Sequence, residues 1–81
     1  MTTLAGELQT LAKANLDIAE GEGRVADQER LVTRLRAEGH NPQSAEDLLE
    51  VLRATLAGWR DHRTLILQAI SRIERESGAH P

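Results

Sequence analysis

The three histidines offer the widest choice of chemistry in this sequence, because imidazole titrates near neutral pH and binds transition metals. They stand at positions 40, 62 and 80. No His-x-x-x-His or Glu-x-x-His spacing places a second ligand beside any of them on a helix face. Asp61 precedes His62, but adjacent residues on a helix point in different directions and do not form a base with its orienting acid. The pattern therefore predicts neither a metal site nor a general base.

Nucleophilic and phosphate-binding chemistry lacks its residues as well. The chain has no cysteine, and its serines and threonines stand in no recognised catalytic motif. The Gly-Glu-Gly-Arg stretch at 21–24 does not match a P-loop and follows no strand. We therefore expect a protein that is not an enzyme and that needs no cofactor.

Four arginines form the one candidate face for nucleic acid: Arg24, Arg30, Arg34 and Arg36. Acidic residues interleave with them, the net charge is −3, and a single tryptophan is the only aromatic side chain that could stack on a base. This composition disfavours nucleic-acid binding. An RNA- or DNA-binding regulator that uses the arginine face is the alternative function.

The first half of the chain carries a sustained seven-residue apolar repeat, which is typical of a helix that packs along one seam. The repeat runs through Leu4, Leu11, Ile18, Val25 and Val32. The companion seam positions are mostly small or polar, and they are Glu7, Ala14, Gly21, Gln28 and Leu35. We predict a helix over about residues 3–38.

A turn is predicted at 39–43. Gly39 fits the C′ position of the first helix, and Pro42 fits the first turn of the next. Either Asn41 or Ser44, with Asp47 in a capping box, fits the N-cap of the second helix.

The second helix is predicted over about residues 44–77, and its apolar arc is broader than that of the first. Val51 and Leu65 add a flank beyond the main apolar rows. Those rows contain Ala45, Leu52, Trp59, Ile66 and Ile73, together with Leu48, Leu49, Leu56 and Ile70. One neighbouring helix covers only part of such an arc, so we expect a second contact, most simply with another copy of the chain.

Two long helices joined by a short turn predict a single all-α domain over residues 1–81, an antiparallel two-helix hairpin with a frayed tail at 78–81. The expected assembly is a dimeric four-helix bundle of coiled-coil character. Its core and interface are expected to contain Leu11, Ile18, Val25, Val32, Leu49, Leu52, Leu56, Trp59, Ile66, Ile70 and Ile73.

Three glycines are expected to share one height of the hairpin, as a helix waist: Gly21, Gly23 and Gly58. A turn centred between residues 40 and 41 places Trp59 beside Gly21, which would explain a small residue on the seam. Gly23 falls on the outer face, where packing inside the hairpin does not explain it. The apolar repeat keeps its phase through the waist, which favours a continuous helix over a kink or break.

Three polar residues are candidates for specificity: Gln28, His62 and Arg63. Gln28 either fixes register from a buried position or reaches solvent from an edge. Arg63 is expected to lay its stem along the core and to reach Asp17, Glu22 or a carboxylate of a partner. His62 is a candidate pH-sensitive contact if it lies at the edge of a dimer seam.

The middle of the chain resembles short helical proteins without an established activity that are abundant in alpha-proteobacteria. The residues that carry the resemblance are Arg24, Gln28, Gly39, Ala45, Leu48, Leu49, Thr55, Leu56, His62 and Arg63. It implies a bacterial helical hairpin and supplies no binding residues. The Gly-Glu-Gly stretch at 21–23 departs from that pattern. In architecture alone, a dimeric hairpin is also similar to Rop, a small plasmid protein that grips paired RNA loops on one helical face.

The expected function is that of a small non-enzymatic protein–protein interaction or scaffold module, a homodimer or higher homo-oligomer. A different, unidentified protein that covers the second helix is the alternative partner. No apolar run approaches the roughly 20 residues of a membrane span, and the first residues lack the basic and apolar parts of a signal peptide. We therefore expect a cytoplasmic protein with no membrane contact.

Overall fold

The computed structural model describes residues 3–78, which form two long α-helices packed against each other. Helix α1 spans Leu4–Ala37 and helix α2 spans Gln43–Gly78. The prediction of an all-α pair of packed helices is confirmed. The predicted tail at 78–81 begins one residue too early, because Gly78 is the last residue of α2; residues 79–81, including His80, lie outside the described residues.

Helix α1 is continuous through its two central glycines, as the unbroken phase of the apolar repeat predicted. Its N-terminus is capped by Thr3, whose Oγ1 accepts a hydrogen bond from the Gly6 N–H at 3.0 Å. This bond satisfies one of the amide groups that the first turn of a helix leaves without a partner.

The turn begins with a Schellman motif that ends α1. Gly39 adopts the left-handed conformation with φ of 77°, which favours glycine. The His40 N–H donates to the Leu35 carbonyl at 2.8 Å, and the Gly39 N–H donates to the Arg36 carbonyl at 3.2 Å. Both bonds satisfy carbonyl groups at the end of the helix, and the prediction of Gly39 as the C′ residue is confirmed.

Asn41, rather than Ser44, caps α2. Its Oδ1 accepts a hydrogen bond from the Gln43 N–H at 3.0 Å. Pro42 directly precedes α2, where its missing N–H costs nothing, and its carbonyl accepts a hydrogen bond from the Glu46 N–H at 2.9 Å. These two caps lie only two residues apart, so the chain reverses direction abruptly and the helices run antiparallel.

The core is a thin seam between the helices, and its buried members include two alanines. The buried side chains are Ala14, Val32, Ala45, Leu49, Leu56, Ile66 and Ile70. Other residues expected in the core are only half-buried, namely Leu11, Ile18, Val25, Leu52, Trp59 and Ile73. Leu4, the first residue of the repeat, is 38% exposed. Two helices alone leave these side chains partly in contact with water.

Candidate interaction surface

The described residues contain no group of three or more His, Asp or Glu side chains that could hold a metal ion. His40 lies at the turn, with its Nε2 3.6 Å from a Glu38 carboxylate oxygen. His62 lies far along α2, where its ring meets Trp59 edge to face with 5.9 Å between ring centroids. The structure therefore does not bring these two histidines together. None of the described helices is long and apolar enough to cross a membrane.

One edge of the hairpin carries three ion pairs between the helices, which we call the ion-pair ladder. Glu22 pairs with Arg60 at 3.5 Å, Glu29 pairs with Arg53 at 3.7 Å, and Arg36 pairs with Glu46. Each step of seven residues forward along α1 moves the contact seven residues back along α2. The ladder therefore defines an antiparallel register close to that expected from a turn between residues 40 and 41.

The ladder was not foreseen, although the sequence contains its signal. Its members recur every seven residues directly beside the apolar rows: Glu22, Glu29 and Arg36 on one helix, and Glu46, Arg53 and Arg60 on the other. In a coiled coil these flanking positions choose partner and orientation through charge. The charges at these flanking positions, taken with the apolar repeat, predict the ion-pair ladder.

Gln28 makes a polar contact across the seam. Its Nε2 donates to the Ala45 carbonyl at 2.9 Å, and the residue is half-buried. Its position is intermediate between the buried and the solvent-exposed alternatives. A side-chain amide that reaches a single backbone carbonyl favours one register over a slipped one.

Arg63 takes a partner other than the expected carboxylates. Its Nε donates to Asn15 Oδ1 on α1 at 2.6 Å. Asp17 is paired with Lys13 at 3.2 Å, and Glu22 belongs to the ladder. The expectation that Asp17 or Glu22 receives the guanidinium is corrected, because those carboxylates have nearer cationic partners and Asn15 lies within reach of the half-buried Arg63 stem.

The expected contact between Gly21 and Trp59 is also corrected. A Cβ built on Gly21 would lie 3.2 Å from Leu56 Cδ1, and its three nearest atoms all belong to Leu56. Leu56 lies almost one helical turn before Trp59, and it is the side chain that the seam brings over Gly21. The glycine makes room as predicted, but for an aliphatic side chain, while Trp59 lies half-buried against His62.

The other two waist glycines face open space. A Cβ built on Gly23 or on Gly58 would meet nothing within 4 Å among the residues that the structure describes. Neither glycine is therefore required by packing inside the hairpin.

Helix α2 carries a second row of mostly apolar or small residues, which we call the outer stripe. Its members follow one another at alternating intervals of three and four residues, so they share one face. They are Leu48, Val51, Thr55, Gly58, His62, Leu65 and Ala69. Val51 is 61% exposed and Leu65 is 63% exposed. The outer stripe lies on the flank of α2 opposite the ion-pair ladder, and α1 leaves it largely uncovered.

Three of the four arginines of α1 contact carboxylates, so the helix presents less free positive charge than its sequence indicates. Arg24 lies 3.9 Å from Glu20, Arg30 pairs with Asp27, and Arg36 belongs to the ladder. These pairs reduce the local positive charge that phosphate groups would require.

No family model matches the chain, and neither a curated protein nor a solved structure is detectably similar to it.

Proposed function

We propose that this protein is a small non-enzymatic interaction module of the cytoplasm that works by helical self-association, most simply as a dimeric four-helix bundle. The observation that carries the proposal is the exposure of Val51 and Leu65 on a helix whose other face already packs against α1. Aliphatic side chains in register along a helix lose contact with water when a second helix covers them, and this burial drives association.

The surface area supports the same conclusion. The chain exposes 5983 Å², whereas a compact folded monomer of 8.9 kDa exposes about 4,800 Å². The excess of roughly 1,200 Å² is larger than the about 800 Å² that each partner buries in a standard interface. A single chain of this shape therefore has enough surplus surface to form a stable dimer.

The test is the mass of the particle in solution, measured by sedimentation velocity and by light scattering from low to high micromolar concentration. We expect a dimer that dissociates on dilution. A folded monomer at the highest concentration would contradict self-association and would point to a different protein as the cover of α2.

A matched pair of variants connects the result to the outer stripe. Leu65 on α2 and Leu16 on α1 are 63% and 66% exposed. We expect Leu65→Lys to weaken the dimer at least about tenfold, because it places a charge in the interface. Leu16→Lys should leave the dimer unchanged. Equal effects of the two variants would contradict the role of the outer stripe.

The same samples separate this function from nucleic-acid regulation. Electrostatic binding to phosphates weakens steeply as salt concentration rises. In a gel shift with duplex DNA and hairpin RNA, we expect no complex at any salt concentration. A salt-dependent complex would instead support a regulator that uses the arginines of α1.

A further inference from the structure

The outer stripe is nearly symmetric about its central residue. Val51 lies seven residues before Gly58 and Leu65 lies seven residues after it, so two exposed aliphatic side chains flank a glycine at equal distances. Thr55 and His62 lie between them on either side. A surface with this symmetry is complementary to a copy of itself turned end to end.

We propose that two copies dock through their outer stripes with the α2 helices antiparallel, and that the two-fold axis passes beside Gly58. This inference rests on the self-association proposed above. It adds the surface through which the copies dock, the relative direction of their α2 helices and the position of the two-fold axis. In a two-fold dimer, residue i contacts residue j of the partner and residue j contacts residue i. Val51 of each copy then packs on Leu65 of the partner subunit, and the two exposed aliphatic residues that flank Gly58 in each chain are covered.

Gly58 lies where two such helices would approach most closely. Nothing among the described residues fills the space that its missing side chain leaves, so the hairpin itself does not need a glycine there. A glycine in a helix interior is unfavourable unless something requires it. A second backbone passing over this point supplies that requirement, because only glycine lets two helices meet without an intervening Cβ.

The position of Gly58 along α2 suits an antiparallel dimer. The helix spans Gln43–Gly78, and Gly58 lies close to its middle. A two-fold axis there overlaps the two α2 helices along most of their length, so the contact extends over nearly the whole outer stripe and not only over one end.

The charges of Arg72 and Asp47 favour the antiparallel direction over the parallel one. The basic residues Arg72 and Arg75 lie beyond the C-terminal end of the outer stripe, and the acidic residue Asp47 lies beside its N-terminal end. A parallel dimer in register places each of these charges beside its own copy. The antiparallel dimer places Arg72 within about one turn of Asp47 of the partner subunit, where opposite charges attract.

Cysteine cross-linking tests the arrangement directly, because the chain has no cysteine of its own. The variants are Gly58→Cys, Val51→Cys and Leu65→Cys, with Leu16→Cys as the control for random collisions. In the proposed dimer residue 58 faces residue 58, and a disulfide requires Cα atoms within about 7 Å. The two copies of residue 51 lie about 21 Å apart along the helices, as do the two copies of residue 65.

We expect Gly58→Cys to form a disulfide-linked dimer on mild oxidation. Val51→Cys and Leu65→Cys should each remain unlinked alone, yet link to each other when the two proteins are mixed. Self-linking of the two separate variants would overturn the antiparallel direction. If the wild type is a dimer but none of these variants forms a cross-link, docking through the outer stripe would be overturned, while self-association would stand. A wild-type monomer in sedimentation would remove the proposed function and this inference together.

Tryptophan fluorescence gives a second measurement that does not depend on cysteines. Trp59 is the only tryptophan in the chain, it follows Gly58 directly, and it is half-buried in the hairpin. We expect its emission to shift to the red as dilution dissociates the dimer. Gly58→Glu should show the shifted emission at high concentration as well, whereas the matched Gly23→Glu should not. Emission that stays constant through dissociation would overturn an interface at Gly58.

Discussion

Gly21 and Gly23 are two residues apart on α1 but have different surroundings. An added Cβ at Gly21 lies 3.2 Å from Leu56 Cδ1, while one at Gly23 meets no described atom within 4 Å. Packing against Leu56 limits the side chain that position 21 can take. Gly23 meets no such limit, so it only lowers the stability of the helix.

We predict a smaller stabilisation by alanine at Gly21 than at Gly23. Gly23→Ala should raise the free energy of unfolding by about 0.5–1 kcal/mol, because alanine favours the helix and nothing opposes its methyl group. Gly21→Ala should gain less, because Leu56 must shift, and Gly21→Leu should cost about 1–3 kcal/mol through overpacking. Urea unfolding at one protein concentration measures the differences. Equal stabilisation by the two alanines would show that Leu56 does not constrain Gly21.

Gln28 connects the two helices through its side-chain amide, which donates to the Ala45 carbonyl at 2.9 Å. Gln28→Ala should lower the free energy of unfolding by about 1 kcal/mol through loss of this hydrogen bond. Gln28→Glu should cost more at neutral pH, because a half-buried carboxylate then faces a carbonyl oxygen without a proton to share. The exposed Gln9 on the same helix is the control, and Gln9→Glu should be nearly neutral. A neutral Gln28→Glu would mean that the side chain lies in solvent.

The sequence did not predict which partner each side chain contacts across the seam. The apolar phase predicted that Arg63 lies at the core and that Gly21 lies on the seam, and the structure shows both near the helix contact. The apolar phase did not predict that Arg63 binds Asn15 or that Leu56 covers Gly21. Several acceptors lie within reach of an arginine head, and a shift of less than one turn changes which side chain covers a glycine.

At the scale of the helices, the register of the hairpin is determined near the turn. Gly39 ends α1 and Asn41 starts α2 by hydrogen bonds that the residue types predicted. Two antiparallel helices with a fixed turn have little freedom to slide, so the opposed residues follow from simple counting. The sequence therefore predicted the elements and their approximate pairing, because caps and apolar phase are local or periodic signals.

The ion-pair ladder also favours this register through attraction between opposite charges, and its contribution to the free energy of unfolding can be measured. Its side chains are roughly half exposed, so each pair is expected to contribute about 0.2–1 kcal/mol. Arg53→Glu places a carboxylate opposite Glu29 and should destabilise the hairpin by a similar amount. Glu29→Arg combined with Arg53→Glu should restore most of the loss. Double-mutant cycles at low salt and at high salt measure the coupling, which should shrink as salt screens it. A coupling near zero at low salt would show that the ladder does not stabilise the register.

At the scale of the molecule, the hairpin is long and thin, with extents of 68 × 17 × 14 Å and a radius of gyration of 18.6 Å. A compact domain of this length has a radius of gyration of about 12 Å. A shape with so little interior cannot bury the broad arc of α2 against α1 alone. The sequence indicated this imbalance through the extra flank of Val51 and Leu65, but it could not orient a second copy, because orientation depends on the three-dimensional placement of the stripe and its charges.

Association should make thermal stability depend on concentration. A ligand that binds only the folded state raises the unfolding temperature, and a second copy of the chain acts as such a ligand. We expect the melting temperature of the wild-type protein to rise with protein concentration. Leu65→Lys should melt at a lower temperature than the wild type at each concentration, because its dimer is at least about tenfold weaker, while Leu16→Lys should behave like the wild type. A wild-type melting temperature that does not change with protein concentration would contradict an assembly linked to folding.

The proposed dimer also has a predictable length in solution. Because the two-fold axis lies beside Gly58, close to the middle of Gln43–Gly78, the partner helices overlap with a stagger of only about 8 Å. The dimer should therefore remain below about 80 Å in its longest dimension, although the single hairpin already measures 68 Å. Small-angle X-ray scattering of the wild-type protein measures this length, and the Leu65→Lys variant, diluted until sedimentation shows a monomer, provides the reference. A particle of doubled mass and nearly doubled length would mean that the hairpins join end to end, and it would exclude docking along the outer stripe.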